Sequence, residues 1–211
     1  MNKNEFIKYL EDINIYPTTS QLDKLDKFYN LLIEWNQKIN LTRITNKEDV
    51  YLKHYYDSLT LNRVINLKEV KTLCDVGTGA GFPGIVIKIM FPEIRITLVD
   101  SLQKRVNYLN EIIKELNLDN IEAIHTRGED YKEKFEVVTS RGVASMDKLW
   151  KYTMHLVDNK GYVIAMKGNI DLELNPEIKK QIERKYEIEK IDKFKLPKEN
   201  SERSLVVIRN K

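Results

Sequence analysis

Apolar positions in the first third of the chain recur with helical spacing. Phe6, Ile7, Leu10 and Ile13 share one helical face, and Tyr16-Pro17 ends the pattern. Thr18 followed by Gln21 has the spacing of a capping box, and behind it Leu22, Leu25, Phe28, Tyr29, Leu32 and Ile33 repeat on one side. Asn40-Leu41-Thr42 reads as a turn. A further helix is predicted from near Thr45, with Glu48 as capping partner, through Leu52, Tyr55 and Leu59. Helices in series without strands predict an N-terminal helical subdomain over residues 1–66, followed by a second domain over residues 67–211.

From Val70 the pattern changes to strands alternating with helices. Strands are predicted at Val70–Val76, Ile94–Val99, Ile121–His125, Phe135–Ser140 and Tyr162–Met166. Helices are predicted at Pro83–Met90, Leu102–Leu116, Met146–Leu156 and Pro176–Lys185. The apolar runs lack clean alternation, which suits strands buried on both faces of a parallel sheet between helices. Tyr186–Phe194 and Leu205–Arg209 have no helix between them and should pair as an antiparallel hairpin at a sheet edge.

The first of these strands runs into Asp75-Val76-Gly77-Thr78-Gly79-Ala80-Gly81-Phe82-Pro83-Gly84. Glycines let backbone approach a ligand closely, and a helix start offers free N–H groups. The second strand ends in Asp100, where a carboxylate can accept from ribose hydroxyls. Together they point to a nucleoside-containing cofactor. Gly79-x-Gly81-x-x-Gly84 formally matches the dinucleotide fingerprint, a weak match alone. Asp75 ahead of the loop, the additional Gly77 and the lack of a separate substrate domain argue against a nicotinamide cofactor. S-adenosylmethionine fits better: its amino group favours an acid near the loop, its ribose takes Asp100, and the turn Thr126–Asp130 faces its adenine edge. Asp75 alone is equally readable as a cap on the turn, and Asp100 alone as a helix N-cap.

Composition narrows the setting. The 211 residues are 42% hydrophobic and 32% charged, enough for one α/β domain with an appendage. A net charge of +3 permits a nucleic-acid partner without demanding one. The single cysteine, Cys74, excludes an internal disulfide, and the three histidines, His54, His125 and His155, lack metal-site spacing. Met1 to Lys8 is polar, unlike a signal peptide, and no segment has the length of a membrane span. A cytoplasmic protein without a metal is expected.

The loop Asp75–Gly84 resembles the cofactor loop of bacterial 16S ribosomal RNA guanine-N7 methyltransferases, the glucose-inhibited division protein B family. So do Leu98-Val99-Asp100-Ser101 with Lys104-Arg105-Val106, and Ser140-Arg141-Gly142-Val143-Ala144-Ser145. His54-x-x-Asp57-Ser58-Leu59, Asn40-Leu41-Thr42, Lys167-Gly168 and Glu202–Ile208 match in the family's order. The resemblance implies a Rossmann-like class I methyltransferase fold with a seven-stranded, mostly parallel sheet, helices on both faces and an N-terminal helical extension. It implies S-adenosylmethionine as methyl donor and N7 of a guanine in 16S ribosomal RNA, free or in the small subunit, as acceptor. Carried over by position, the cofactor contacts are Gly77, Phe82, Gly128, Glu129 and Arg141; Gly79 belongs to the same loop, and Asp100 follows from the general methyltransferase pattern. Gly128 departs from relatives with a larger apolar residue, and Ser204 from relatives with histidine.

Guanine N7 carries a lone pair and no proton, so no general base is expected. The chain has no Asn-Pro-Pro-Tyr run of the kind used on exocyclic amines, and Cys74 lies inside a strand. Arg141 is expected to orient cofactor and guanine. Lys167 and Arg203 are candidates for phosphate or the guanine O6 edge, with a solvated surface charge as the alternative. His54 and Asp57, three apart on a helix, are expected to pair with each other or to face the substrate. Lys179, Lys180, Arg184, Lys185, Lys190, Lys193, Lys195 and Lys198, with Lys38, Arg43, Lys47, Lys53 and Arg63, suggest a positive rim for RNA. Tyr51, Tyr55 and Tyr56 are candidates for stacking on bases, with a core role for at least one. No stable protein partner is expected, and the chain should act as a monomer. A nicotinamide-dependent oxidoreductase and a non-enzymatic ribosome-assembly factor are the competing readings.

Overall fold

In the computed structural model, which describes Met1 to Lys211, the strand-forming runs become β1 (Thr72–Val76), β2 (Arg95–Asp100), β3 (Ile121–His125), β4 (Phe135–Arg141), β5 (Val157–Lys167), β6 (Tyr186–Lys195) and β7 (Glu202–Asn210). They form one seven-stranded sheet in the order β3-β2-β1-β4-β5-β7-β6. Pairings among β1 to β5 are parallel, while β7 runs antiparallel to both β5 and β6. The expected hairpin therefore forms, with β6 as the edge and β7 inserted beside β5. The sheet puts the C-terminal ends of β1 to β5 at one end of the molecule, where ligands of open α/β sheets bind.

Helices cover both faces. On one face α5 (Gly84–Met90) and α6 (Gln103–Glu115) pack against the sheet, and on the other α7 (Met146–Thr153) and α8 (Pro176–Glu183). Of the N-terminal helices, α2 (Thr19–Ile39) packs on α5 and α6, and α1 (Lys3–Glu11) packs on the segment Tyr51–Tyr56. Both have capping boxes, Asn2 with Glu5 and Thr18 with Gln21, so each start satisfies its own free N–H groups. Phe6, Leu10, Leu25, Phe28 and Leu32 bury in the same cluster as Leu73, Leu98 and Ile164 of the sheet. Residues 1–66 thus share a core with the strands instead of enclosing one of their own.

The helix expected from Thr45 to Leu59 differs from the prediction. Asn46 is its cap, the side-chain oxygen accepting from the N–H groups of Glu48 and Asp49. The helix runs as α3 (Lys47–Val50), then a π-helical turn over Tyr51–Tyr56, then α4 (Asp57–Leu59). The wider turn leaves Tyr51, Tyr55 and Tyr56 all buried. Tyr51 donates to Asp26 (2.7 Å) and Tyr55 to the Leu25 carbonyl (3.0 Å). None of the three is available to stack on a base, because Tyr51 and Tyr56 pack edge-on against Phe6 and Tyr9 of α1 and Tyr55 stacks on Phe28 of α2.

Candidate functional site

The loop leaving β1 is held from inside. Asp75 is completely buried, and its Oδ2 accepts from the Thr78 hydroxyl (2.7 Å) and the Gly84 N–H (2.8 Å), while Oδ1 has no partner. It braces the turn and faces away from any ligand, so the capping role is the one the fold uses. Burial pushes its carboxyl up to about 6, against the pull of those two hydrogen bonds. Gly77 has φ of +71°, and a Cβ there would lie 2.4 Å from Val143 Cγ2. Only glycine allows the turn and the close approach of the segment after β4.

Asp100 also has structural work. Its Oδ2 accepts from the Gly79 N–H (2.9 Å) and lies 3.4 Å from Arg105, and its Oδ1 accepts from the Leu102 N–H (2.9 Å). The expected N-cap role falls to Leu102 instead, from whose N–H Asp100 accepts, and the contact with the glycine loop through Gly79 was not expected from the sequence. An ionised carboxylate has about four acceptor sites, so some capacity remains on the cavity side.

Two cavities open along the strand ends. The narrower, about 360 Å³, is lined by Thr42, Gly77 to Ala80, Phe82, Asp100, Ser101 and Arg105. The wider, about 600 Å³, is lined by Lys53, Asp57, Ser145, Lys167, Glu173 and Arg203. His54, Arg141, Gly142 and Val143 line both. Both volumes fall in the range of small-ligand sites.

Arg141 is the centre of the partition. Its NH1 donates to the Lys53 carbonyl and to Asp57 Oδ2, both at 3.0 Å, and its NH2 donates to His54 Nδ1 at 3.0 Å. Asp57 Oδ1 accepts from Arg203 Nε at 3.0 Å. The expected local pair between His54 and Asp57 is therefore replaced: both side chains turn to Arg141, because the π-helical turn aims them at the tip of β4. Both are nearly buried, at 7% and 5% exposure, and present little surface to a substrate. The His54 ring stacks on Phe82, with centroids 4.3 Å apart and planes 13° from parallel. Burial, reinforced by the Arg141 charge, pulls the imidazole down to about 3.

Lys167 ends β5 and is also buried. It donates to the Ala144 carbonyl and to Glu173 Oε2 (2.7 Å), which also accepts from the Met146 N–H (3.2 Å). The surface-charge alternative thus fails for Lys167, while Arg203 stays partly exposed with its Nε on Asp57. Gly128 and Glu129 begin a short turn after β3 and line neither cavity; Glu129 is exposed. A Cβ on Gly128 would lie 2.6 Å from Val76 Cγ1, so the end of β1 takes up the room a larger residue would need.

The expected basic rim is smaller than the residue count suggests. Lys53 pairs with Asp49 and Glu199, Lys193 with Asp171, Lys198 with Glu5, and Arg63 with Asp192. Lys190 lies at the opposite end of the sheet, beside Arg63 and Glu189. Cys74 is a core residue whose thiol is pushed well up by burial, and no group of His, Cys, Asp or Glu is gathered to hold a metal ion. Glu173 is a member of the wider cavity with no signal in the sequence: it stands in an irregular loop with no periodicity or motif. Thr42, legible as part of a turn and of a family-like run but with no role attached, meets His54 Nε2 through its hydroxyl at 3.0 Å.

Comparison with known proteins follows the same lines. Residues 21–206 match the model of the rRNA small subunit methyltransferase G family. The ribosomal RNA small subunit methyltransferase G of Bacillus subtilis is 42% identical over 99% of this chain and 90% of its own length. That of Lactobacillus helveticus is 42% identical over 99% of this chain and 91% of its own length. Among solved structures, an S-adenosylmethionine-dependent methyltransferase from Aquifex aeolicus superposes with a TM-score of 0.58 at 16% identity, covering 83% of this chain and 97% of that one. A precorrin-6y C5,15-methyltransferase from Geobacter metallireducens gives 0.52 at 12% identity, over 72% and 88% of the two chains. At such identities these structures speak for the fold, the Rossmann-like class I methyltransferase architecture. The two full-length sequence matches and the match over 21–206 say more: this chain belongs to the rRNA small subunit methyltransferase G family.

Proposed function

We propose that the protein transfers a methyl group from S-adenosylmethionine to N7 of a guanine in 16S ribosomal RNA, with the narrower cavity as donor site and the wider as acceptor site. The observation that carries the reading is the shared wall: His54, Arg141, Gly142 and Val143 bound both cavities, so donor and acceptor meet there. Membership of a methyltransferase family leaves the oxidoreductase and assembly-factor readings without support.

The donor cavity suits the cofactor. Gly77 and Gly79 bring backbone to its edge, and the free acceptor capacity of Asp100 takes a ribose hydroxyl. Phe82 contributes mainly through its backbone, since its ring is packed among Phe28, Tyr55 and His54. Asp100 stands opposite His125 in the β2–β3 register, so the turn carrying Gly128 and Glu129 adjoins it; we assign that turn to the adenine end. When bound, S-adenosylmethionine supplies a sulfonium methyl group.

The protein's part is alignment. Guanine N7 needs no deprotonation, and the two carboxylates of the acceptor cavity are already committed, Asp57 to two arginines and Glu173 to Lys167. Holding the base at attack distance, with N7 in line with the departing bond, is the main source of rate. Arg203, Lys167 and Arg141 supply donors for guanine O6 or for backbone phosphates.

The test is transfer of labelled methyl groups to small ribosomal subunits from cells lacking this gene. The modified atom is then located by reduction and aniline cleavage, which cuts at N7-methylguanine. Label on an exocyclic amine or ribose, or no label at all, would sink the reading.

A further inference from the structure

We propose that His54 is a positioning residue for methyl transfer: its Nδ1 lone pair holds the Arg141 guanidinium in one orientation in the wall between donor and acceptor cavities. The proposal rests on the methyltransferase reading above.

A guanidinium has donors and no acceptor. The 3.0 Å contact from Arg141 NH2 therefore requires Nδ1 of His54 to be unprotonated. The ring proton then sits on Nε2, where it donates to the Thr42 hydroxyl at 3.0 Å. Thr42 is fixed in turn, since its Oγ1 accepts from the Ile44 N–H at 3.1 Å. One tautomer satisfies the whole chain of contacts. The stack on Phe82 sets the plane of the ring, and the guanidinium lies 5.3 Å from the centre of the same phenyl ring. Burial beside a cation also keeps the imidazole neutral, so it remains an acceptor across the working pH range.

The contacts divide the arginine unequally. NH1 is tethered by the Lys53 carbonyl and by Asp57, which is itself shared with Arg203. NH2 has His54 as its protein partner. Without that acceptor Arg141 stays attached along one edge and can turn about it. A long side chain regaining such freedom misplaces its remaining donors, and misplacement by about 1 Å costs on the order of a hundredfold in rate. The π-helical turn is what allows Lys53, His54 and Asp57 to converge on one guanidinium. The N-terminal helices thereby complete the catalytic partition as well as the core.

The experiment compares His54→Asn, His54→Gln and His54→Ala. The Asn oxygen falls near the place of Nδ1 and can accept from Arg141; the Gln amide reaches the place of Nε2 and serves Thr42 instead. Methyl transfer to unmodified small subunits, cofactor binding by calorimetry and thermal melting are measured for each. H54N is expected within about fivefold of the parent in kcat. H54Q and H54A are expected to fall by roughly fiftyfold or more at melting temperatures close to that of H54N. Equal activity of H54N and H54Q at matched stability overturns the proposal.

Nitrogen NMR of the parent protein gives a readout independent of turnover. The His54 ring is expected as the Nε2–H tautomer with no titration near neutral pH. A ring protonating near 6.5 also overturns the proposal. A parent protein that transfers no methyl group, with the tautomer as expected, refutes the methyltransferase reading and not the Arg141 contact.

Discussion

Asp75 has no solvent to ionise into and a hydrogen-bonding role that favours its charge. Burial prevails, raising the carboxyl from 3.8 to about 6. A raised carboxyl means that the folded state binds the proton more tightly than the unfolded one. The corresponding stabilisation is present below about pH 4 and is lost as pH rises through about 6, an amount on the order of 3 kcal/mol. Asp75→Asn keeps an acceptor for Thr78 and Gly84 and cannot titrate. Its amide nitrogen would lack a partner as Oδ1 does now, so absolute stability is not the informative quantity. The difference in unfolding free energy between parent and variant is expected to change by up to about that 3 kcal/mol between pH 4 and pH 6, in the variant's favour at the higher pH. Urea melts across that range check it, and parallel curves would refute it.

Gly84, which opens α5, depends on the packing of three elements at once. A Cβ there would lie 2.2 Å from Leu98 Cδ2 of β2 and 3.0 Å from Asp75 Oδ2 of β1. The glycine of the Phe-Pro-Gly run is thus a matter of helix against sheet rather than of ligand contact. Gly84→Ala should cost about 1–3 kcal/mol by overpacking, read as a lower urea midpoint with an unchanged slope. A shift under about 0.5 kcal/mol would show that Leu98 yields freely. The π-helical turn makes a complementary case. Its aromatic spacing reads as ordinary helix, and the arginine on which Lys53, His54 and Asp57 converge comes from a strand far along the chain.

At the level of the whole molecule the N-terminal helices and the sheet should unfold together. The apolar side chains of those helices and of one face of the sheet belong to one cluster from Met1 to Val207, and Gln21 reaches across to the Met90 carbonyl. A single thermal transition with coincident circular dichroism and tryptophan signals is expected; an early transition confined to residues 1–66 would count against it. Electrostatics also act at this scale. RNA binding is expected to rest on the cations that line the acceptor cavity, Lys53, Arg141, Lys167 and Arg203. Three or four neutralised phosphates imply a roughly 20- to 50-fold loss of affinity between about 50 and about 200 mM salt. A filter-binding series that stays flat over that range would rule it out.

Local order was legible along the chain. Capping boxes at Thr18 and turns at Asn40 act through neighbours in sequence, and buried parallel strands announce themselves as unbroken apolar runs. The glycine loop and the acid at the end of β2 were legible for the same reason, since each is a short stretch with a fixed backbone requirement. Tertiary structure decided what those residues face. It turned Asp75 inward, buried three tyrosines that spacing alone could have aimed at RNA, and joined His54 to Asp57 through Arg141 and Arg141 to Arg203 through Asp57. It also brought Glu173 to Lys167 and placed Gly128 against Val76. Spacing reports the period of an element; the direction of a side chain and its partner depend on which distant element packs there, and that is settled only when the sheet closes.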